Sequence, residues 1–321
     1  MSYKFKLNEN AGDGVRRMAR EQIVKALVEI EDAQVSRDDT VHSIRKRCKK
    51  IRALLRLARG DLDGDSEVYK RENVCFRDAA RSLSDLRDAA ALLETYDMLV
   101  VETFGKQCNR QRLQNVREEL QAHKQNLTGD KAEVDKRIAV CAETFSQALE
   151  RVDDWPVGEG FDALAPGLEK TYARGRKAMK QAGKDPSTEA FHEWRKRVKY
   201  HRYHVRVLRP VWDDVLNAWR IQLHDLSDDL GDDHDLAEFG DTLSAEHGSF
   251  RSNRDVQALL GMADRRRAQL QARAFPQGKR MFVEKPKHMV KRFAAYWSAS
   301  HSDVECGSSK IEADMKVPAD E

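Results

Sequence analysis

The sequence predicts an all-α fold: two pseudo-symmetric, antiparallel helical bundles from an internal duplication, with a basic central groove. Apolar residues recur at helical spacing along nearly the whole chain. No segment alternates β-branched and polar residues in the way that strands do. One basic pattern occurs twice, which indicates the duplication.

The predicted helices of the first half can be long because all seven prolines lie at or after Pro156. We expect helices at about 14–33, 40–59, 66–84, 86–104, 107–126 and 131–151. The segment from Trp155 to Gly160 is rich in turn residues and separates a first half, 1–155, from a second half, 156–299.

In the second half, helical spacing predicts further helices. They are expected at about 162–182, 187–209, 212–230, 233–246, 250–274 and 286–299. Residues 300–321 are poor in apolar side chains, so we expect a disordered C-terminal tail.

The repeated pattern is a basic stretch that opens with a histidine. The first copy reads His42-x-x-Arg45-Lys46-Arg47-x-Lys49-x-x-Arg52-x-x-x-Arg56. The second copy, 150 positions later, reads His192-x-x-Arg195-Lys196-Arg197-x-Lys199-x-x-Arg202-x-x-x-Arg206. A second repeat follows each copy, because Arg87-Asp88 after Leu83 corresponds to His234-Asp235 after Leu230. Both order and spacing repeat, and the equivalent helices should therefore meet across a shared groove.

Each copy forms a one-sided basic stripe on a helix, because residues three and four apart share a face. Residues 41–59 contain eight Lys or Arg and no acid, and residues 191–209 contain seven with only Glu193. Like charges at this spacing destabilise a helix by a few tenths of a kcal/mol per pair, roughly. The missing acids indicate that an external polyanion supplies the negative charge.

Arginine forks, lysine point charges and histidine N–H groups all suit phosphate oxygens. The candidate polyanion-binding residues of the two stripes are His42, Arg45, Lys46, Lys49, Arg52, Arg56, His192, Arg195, Lys196, Lys199, Arg202 and Arg206. Neighbouring helices are expected to extend this surface with Arg20, Tyr172, Arg174 and Lys177.

Composition excludes several function classes. The five cysteines are widely spaced and form no CxxC pair, which favours reduced thiols over a zinc or redox site. No apolar run approaches the length of roughly 18 residues that a membrane span needs. The N-terminus lacks the apolar stretch of a signal peptide, so we expect a cytoplasmic protein that has no membrane partner.

The paired basic helices, the Arg87-Asp88 and His234-Asp235 turns and the segment from Gly167 to Arg176 resemble the CHAD (conserved histidine α-helical domain) family. The resemblance extends to about residue 298. It implies a bundle of two helical halves that binds inorganic polyphosphate in a basic channel without catalysis, and it implies neither cofactor nor metal. Polyphosphate granules are then one candidate location.

Members of this family are often fused to a triphosphate-tunnel enzyme domain, which carries Glu-x-Glu-x-Lys on a strand. Here Glu29-x-Glu31 is followed by Ala33 and lies in a predicted helix. The catalytic function of such a domain is therefore not transferred to this chain.

Two alternatives remain open at this point. One is an RNA- or DNA-binding protein that uses the same cations, with Tyr200 and Tyr203 as the candidates for base stacking. The other is a metal-dependent phosphohydrolase at His234 and Asp235.

Other residues near the stripes have structural interpretations. The acids that follow Gly231 are interpreted as a helix N-terminal cap. Arg87-Asp88 and His234-Asp235 are expected to orient the basic helices through buried ion pairs. His201 and His204 are interpreted as interior histidines with satisfied hydrogen bonds, and the five tryptophans mostly as core residues.

Overall fold

The structure is a computed structural model that describes residues 3–6, 9–62, 67–105, 110–245 and 253–314. All regular structure in these residues is helical, and no strand occurs among them. No helix in the described part of the chain is long and apolar enough to span a membrane. The all-α prediction is therefore confirmed for the described ranges.

The described residues of the first half contain seven α-helices, and a π-helical turn at Met98–Thr103 extends the fifth of them. They are α1 (Ala11–Glu31), α2 (Arg37–Leu57), α3 (Arg59–Leu62), α4 (Val68–Arg81), α5 (Ser84–Asp97), α6 (Arg110–Thr128) and α7 (Lys131–Arg151). Except for the short α3, each corresponds to a predicted helix.

Five α-helices lie in the second half of the part of the chain that the structure describes. They are α8 (Ala165–Lys184), α9 (Thr188–Leu208), α10 (Asp213–Ala245), α11 (Asn253–Met281) and α12 (Pro286–Asp314).

The two stripe helices both begin at a serine cap. The Ser36 hydroxyl accepts a hydrogen bond from the backbone N–H of Asp39 (3.1 Å), and the Ser187 hydroxyl accepts one from the N–H of Ala190 (3.3 Å). Such caps satisfy N–H groups that lack a partner in the first helical turn. Acids in the first turn, such as Asp38 and Glu189, further favour the helix start.

The apolar interior consists of two clusters of buried side chains. The larger cluster joins the backs of the stripe helices, including Ile44 and Cys48 of α2 with Trp194 and Val198 of α9. The smaller one combines α5 and α6 with α10 and α11. Each cluster therefore contains residues from both sides of the linker, and the division of the chain at residue 155 stays a prediction.

Gly167 allows α8 to cross the end of α2 closely. A Cβ atom at this position would lie 2.0 Å from the carbonyl oxygen of Leu57, far inside van der Waals contact. Only glycine permits this approach of two backbones.

Two helices continue past the ends that the sequence predicted for them. Gly231 does not divide α10, because a glycine inside a helix costs only about 1 kcal/mol and a continuous buried stripe runs past it, from Leu226 to Leu236. The acids after Gly231 are consequently not a helix cap. Helix α11 likewise continues through Pro276.

Helix α12 continues past residue 300, where the sequence predicted a disordered tail. Buried Phe293 and Trp297 hold the helix on the core, and the ring of His301 stacks on Trp297 at 4.5 Å. This packing extends the helix into a segment with few apolar residues. Residues 300–314 are therefore helical in this structure, and residues 315–321 lie outside the described residues.

Candidate functional site

The stripe residues lie on the faces of α2 and α9 that point away from the apolar core. Ile44, Cys48, Ile51 and Leu55 on the back of α2 are at most 1% exposed. Trp194, Val198, His201, Val205 and Leu208 are fully buried on the back of α9. This separation follows from helical spacing and leaves both cationic faces available.

Side chains of both stripes line one cavity of about 360 Å³, which α5 and α10 complete. We call it the basic cavity. Its lining residues are His42, Arg45, Lys46, Lys49, Arg87, Asp88, Ala91, Arg195, Lys199, Arg202, Tyr203, His234 and Asp235. Seven of these are Lys or Arg and two are Asp, so positive charge dominates the lining.

A second cavity of about 390 Å³ overlaps the first and shares several lining residues with it, among them Lys49, His234 and Asp235. Its remaining lining comes partly from His192, Glu238 and Thr242. Because they share these lining residues, the two cavities are parts of one cleft. Every Lys or Arg that lines only one of the two cavities lines the basic cavity.

Two arginine–aspartate pairs lie in the cleft, one from each basic stripe. Arg45 of α2 lies 3.6 Å from Asp88 of α5, and Arg195 of α9 lies 3.6 Å from Asp235 of α10. The carboxylates are 67% and 42% exposed, so these are not the buried ion pairs that the sequence predicted. Equal distances are what a duplication predicts, and the duplication itself stays a prediction.

The two stripe histidines have different neighbours. Burial lowers the pKa of His42, and the positive charges of Arg87 and Lys46 lower it further. His192 instead contacts another histidine, because its Nδ1 lies 3.1 Å from Nδ1 of His234. Burial, together with the charge of Arg195, lowers the pKa of His234 to about 3. Arg87 in the first copy of the pattern corresponds to His234 in the second. His42 therefore has a guanidinium as its neighbour, whereas His192 has an imidazole.

Two partly buried lysines, one from each stripe, line the basic cavity. Burial and the nearby charges of Arg45 and Arg195 lower the pKa of Lys49 to about 8. Burial and the charges of Lys49 and Arg195 lower the pKa of Lys199 to about 7. Each lysine thus bears partly desolvated charge among other cations, an arrangement that an anion would stabilise.

The remaining stripe residues lie outside the cavity lining or at its edge. Arg52 donates to the side-chain oxygen of Asn73 (3.2 Å), and Arg56 lies 4.1 Å from the ring centroid of Tyr200. Lys196 forms an ion pair with Glu193, and Arg206 is exposed. Among the predicted stripe residues, these four and His192 do not line the basic cavity, and His192 lines the overlapping one.

The predicted extension of the surface is not part of the cleft. Tyr172 is fully buried, with its ring against Phe282 at 5.2 Å, so the expectation that it contacts a ligand is wrong. Arg20 forms an ion pair with Asp153. Arg174 and Lys177 are exposed on α8, away from the cavity. The position of a residue on its own helix does not show whether that helix lies beside the cleft.

Arg87, Asp88, His234, Asp235 and Tyr203 line the basic cavity, although the sequence did not place them in the binding set. The repeated turns were the signal that could have identified the first four. Because each turn follows a stripe in the sequence, the turns and the stripes were expected to lie near one another. Only the packing of α5 and α10 over α2 and α9 shows that they line the same cavity.

The interior histidines follow the prediction in part. His204 Nε2 lies 3.0 Å from the carbonyl oxygen of Ala53. His201 is fully buried, but neither of its ring nitrogens has a hydrogen-bond partner among the described residues. Trp155, Trp194 and Trp297 are buried, as expected for core residues, whereas Trp212 is 49% exposed.

His234 and Asp235, the residues of the phosphohydrolase alternative, already contact His192 and Arg195. In the described residues, no group of three His, Cys, Asp or Glu side chains is arranged to hold a metal ion.

Comparison with known proteins identifies the family. The family model for the CHAD domain matches residues 17–244, which is more than half of the chain. The crystal structure of the CHAD domain from the plant Ricinus communis is similar in fold, with a TM-score of 0.57, 15% sequence identity, and coverage of 86% of this chain and 93% of that chain. No curated protein gives a significant match. On the family match, this chain belongs to the CHAD domain family.

Proposed function

We propose that this protein binds inorganic polyphosphate in the basic cavity and performs no chemical step on it. The observation that carries the proposal is that cations from α2 and α9 converge on one cavity. Arg45, Lys46 and Lys49 come from the first stripe, and Arg195, Lys199 and Arg202 come from the second. Membership of the CHAD family supports the same ligand class.

The lining suits a phosphate chain better than a nucleic acid. Base stacking requires exposed aromatic rings, but Tyr200 and Tyr203 are only 9% and 8% exposed. The guanidinium of Arg56 covers the ring of Tyr200, and Tyr203 packs edge-on against Tyr3 at 6.0 Å. Phosphate chains need none of these rings, because arginine and lysine recognise their oxygens directly.

The test is equilibrium binding of long-chain polyphosphate to an Arg45→Gln, Arg195→Gln double variant. Each substitution removes charged hydrogen bonds worth about 1.5 kcal/mol, so affinity should fall by roughly two orders of magnitude. The matched control is Arg77→Gln with Arg137→Gln, which removes two ion-paired arginines that do not line the cavity. Equal losses in both variants would place binding elsewhere.

Two further measurements distinguish the alternatives. In a competition titration, polyphosphate should displace RNA of equal total charge, and preferential retention of RNA would favour the nucleic-acid function. Incubation of polyphosphate with the protein and Mg²⁺ or Mn²⁺ should release no phosphate. Release that His234→Ala abolishes would establish a phosphohydrolase instead.

A further inference from the structure

The basic cavity contains two partly buried lysines without a carboxylate partner of their own, whereas its third lysine, Lys46, is exposed. Lys49 and Lys199 come from opposite walls and line the same cavity. Neither forms an ion pair with a described residue, and the two cavity carboxylates pair with Arg45 and Arg195. The free cavity therefore holds these two amines close to several other cations.

The His192–His234 contact also restricts the charge that the cleft can hold. Two imidazole nitrogens 3.1 Å apart share a hydrogen bond only when one carries the proton and the other offers a lone pair. At most one of the two rings is therefore positively charged while this contact persists. A bound anion beside the pair would favour the uptake of one further proton by these two rings.

Charged groups on α2, α5, α9, α10 and α11 lie near these four side chains. The neighbouring cations are Arg45, Arg87, Arg195, Lys196, Arg202 and Arg267, and the neighbouring acids are Asp88, Glu189, Glu193, Asp235 and Glu238. The cations are more numerous around the lysines, where Asp88 and Asp235 are the opposing charges.

We propose that polyphosphate binding is coupled to proton uptake by Lys49, Lys199 and the His192–His234 pair. This inference rests on the proposed function. A bound phosphate chain stabilises the protonated form of each group, so the complex holds more protons than the free protein. Affinity then rises as pH falls. RNA, whose phosphates are separated by sugars, brings less negative charge to the same volume and should be coupled more weakly.

The pH range in which binding depends on pH follows from the pKa values of the two lysines in the free protein. The pKa values of Lys49 and Lys199 are about 8 and about 7, so at pH 7.5 the two amines together lack about one proton. Binding raises both pKa values, and affinity should increase about tenfold per unit of decreasing pH near 7.5. Below about pH 6 both amines are already charged, so the dependence should weaken to the contribution of the histidine pair.

Isothermal titration calorimetry tests the coupling directly. The protein is titrated with polyphosphate at pH 7.5 in two buffers of different ionisation enthalpy at equal ionic strength. Long chains are used because their few terminal phosphates contribute little to the proton exchange. The buffer dependence of the heat should correspond to about one proton taken up per protein. Binding without a buffer-dependent heat contradicts the coupling alone, whereas no binding contradicts the proposed function.

Arginine variants identify the acceptors, because a guanidinium stays protonated throughout this pH range. Lys49→Arg with Lys199→Arg should bind with a weaker pH dependence and a smaller proton uptake. The control, Lys131→Arg with Lys136→Arg, changes two exposed lysines of α7 and should match the unmodified protein. Undiminished uptake in the first variant would overturn the assignment to the lysines.

Discussion

Arg45 of α2 and Asp88 of α5 form an ion pair at 3.6 Å, and the other head-group nitrogen of Arg45 donates to the carbonyl oxygen of Ala80 at 2.8 Å. The arginine is thus held in place by a backbone carbonyl as well as by the carboxylate. Arg195 and Asp235 repeat the ion pair at the same distance. At 3.6 Å the carboxylates offset the charge of the arginines but accept no hydrogen bond from them.

Removal of these two carboxylates should strengthen polyphosphate binding. Asp88→Asn with Asp235→Asn removes negative charge that repels the ligand, while Ala80 still positions Arg45. Affinity should rise by roughly threefold to tenfold, as measured by equilibrium titration. The control, Asp78→Asn with Asp135→Asn, removes two arginine-paired carboxylates outside the cavity and should change affinity much less. Weaker binding in the first variant would mean that the carboxylates position the arginines.

Salt should weaken polyphosphate binding steeply, because the ligand displaces condensed counterions. With about six phosphates neutralised and a slope of roughly −0.7 per contact, affinity should fall by about 10² to 10³ between 50 and 200 mM salt. Titrations at four salt concentrations give the slope. A nearly flat dependence would contradict binding through the cation stripes.

Two glycine substitutions should have opposite effects on stability. In Gly231→Ala the new Cβ would meet only the Nε of Arg195, at 3.9 Å, so the variant should gain about 0.5–1 kcal/mol from better helix propensity. In Gly167→Ala the Cβ would collide with the Leu57 carbonyl oxygen, and the variant should be destabilised by several kcal/mol, on the order of other overpacked sites. Denaturant unfolding measures both, and equal effects would contradict the close crossing of α2 and α8.

Acid should destabilise the fold through its buried histidines. Burial lowers the pKa of His201 to about 3 and that of His204 to about 4, both below the unfolded value of about 6.5. The unfolded chain then binds more protons, so stability is retained above about pH 6.5 and declines toward pH 4. Each ring contributes on the order of 1–3 kcal/mol. Unfolding measured between pH 7 and 4 should show this decline.

The variant His201→Phe provides the comparison for this pH dependence. The ring lies among Tyr172, Trp219 and Phe282, an environment that suits a phenyl group. The variant should lose less stability than the unmodified protein over the same pH range. An identical pH dependence would exclude His201 as a source of the acid sensitivity.

The sequence and the structure agree best where the argument is local. Helical spacing correctly separated the buried side of α2, such as Cys48, from the cationic side, such as Lys49. It failed at Gly231, because the buried stripe of α10 outweighs the local preference of glycine for a helix end. It also failed at Tyr172, because a ring next to exposed cations in sequence can still point into the core.

The helices, their apolar backs and the two basic stripes are predictable from residue order, because all three depend on the 3.6-residue period of a single helix. The sequence also predicted that the turns at Asp88 and Asp235 pair with the basic helices, but only helix packing shows which side chains meet. It brought Asp88 to Arg45 and His234 to His192 from other helices, and it left Lys49 and Lys199 without ion-pair partners among the described residues. Such contacts depend on how helices cross, which the packing of the whole core sets.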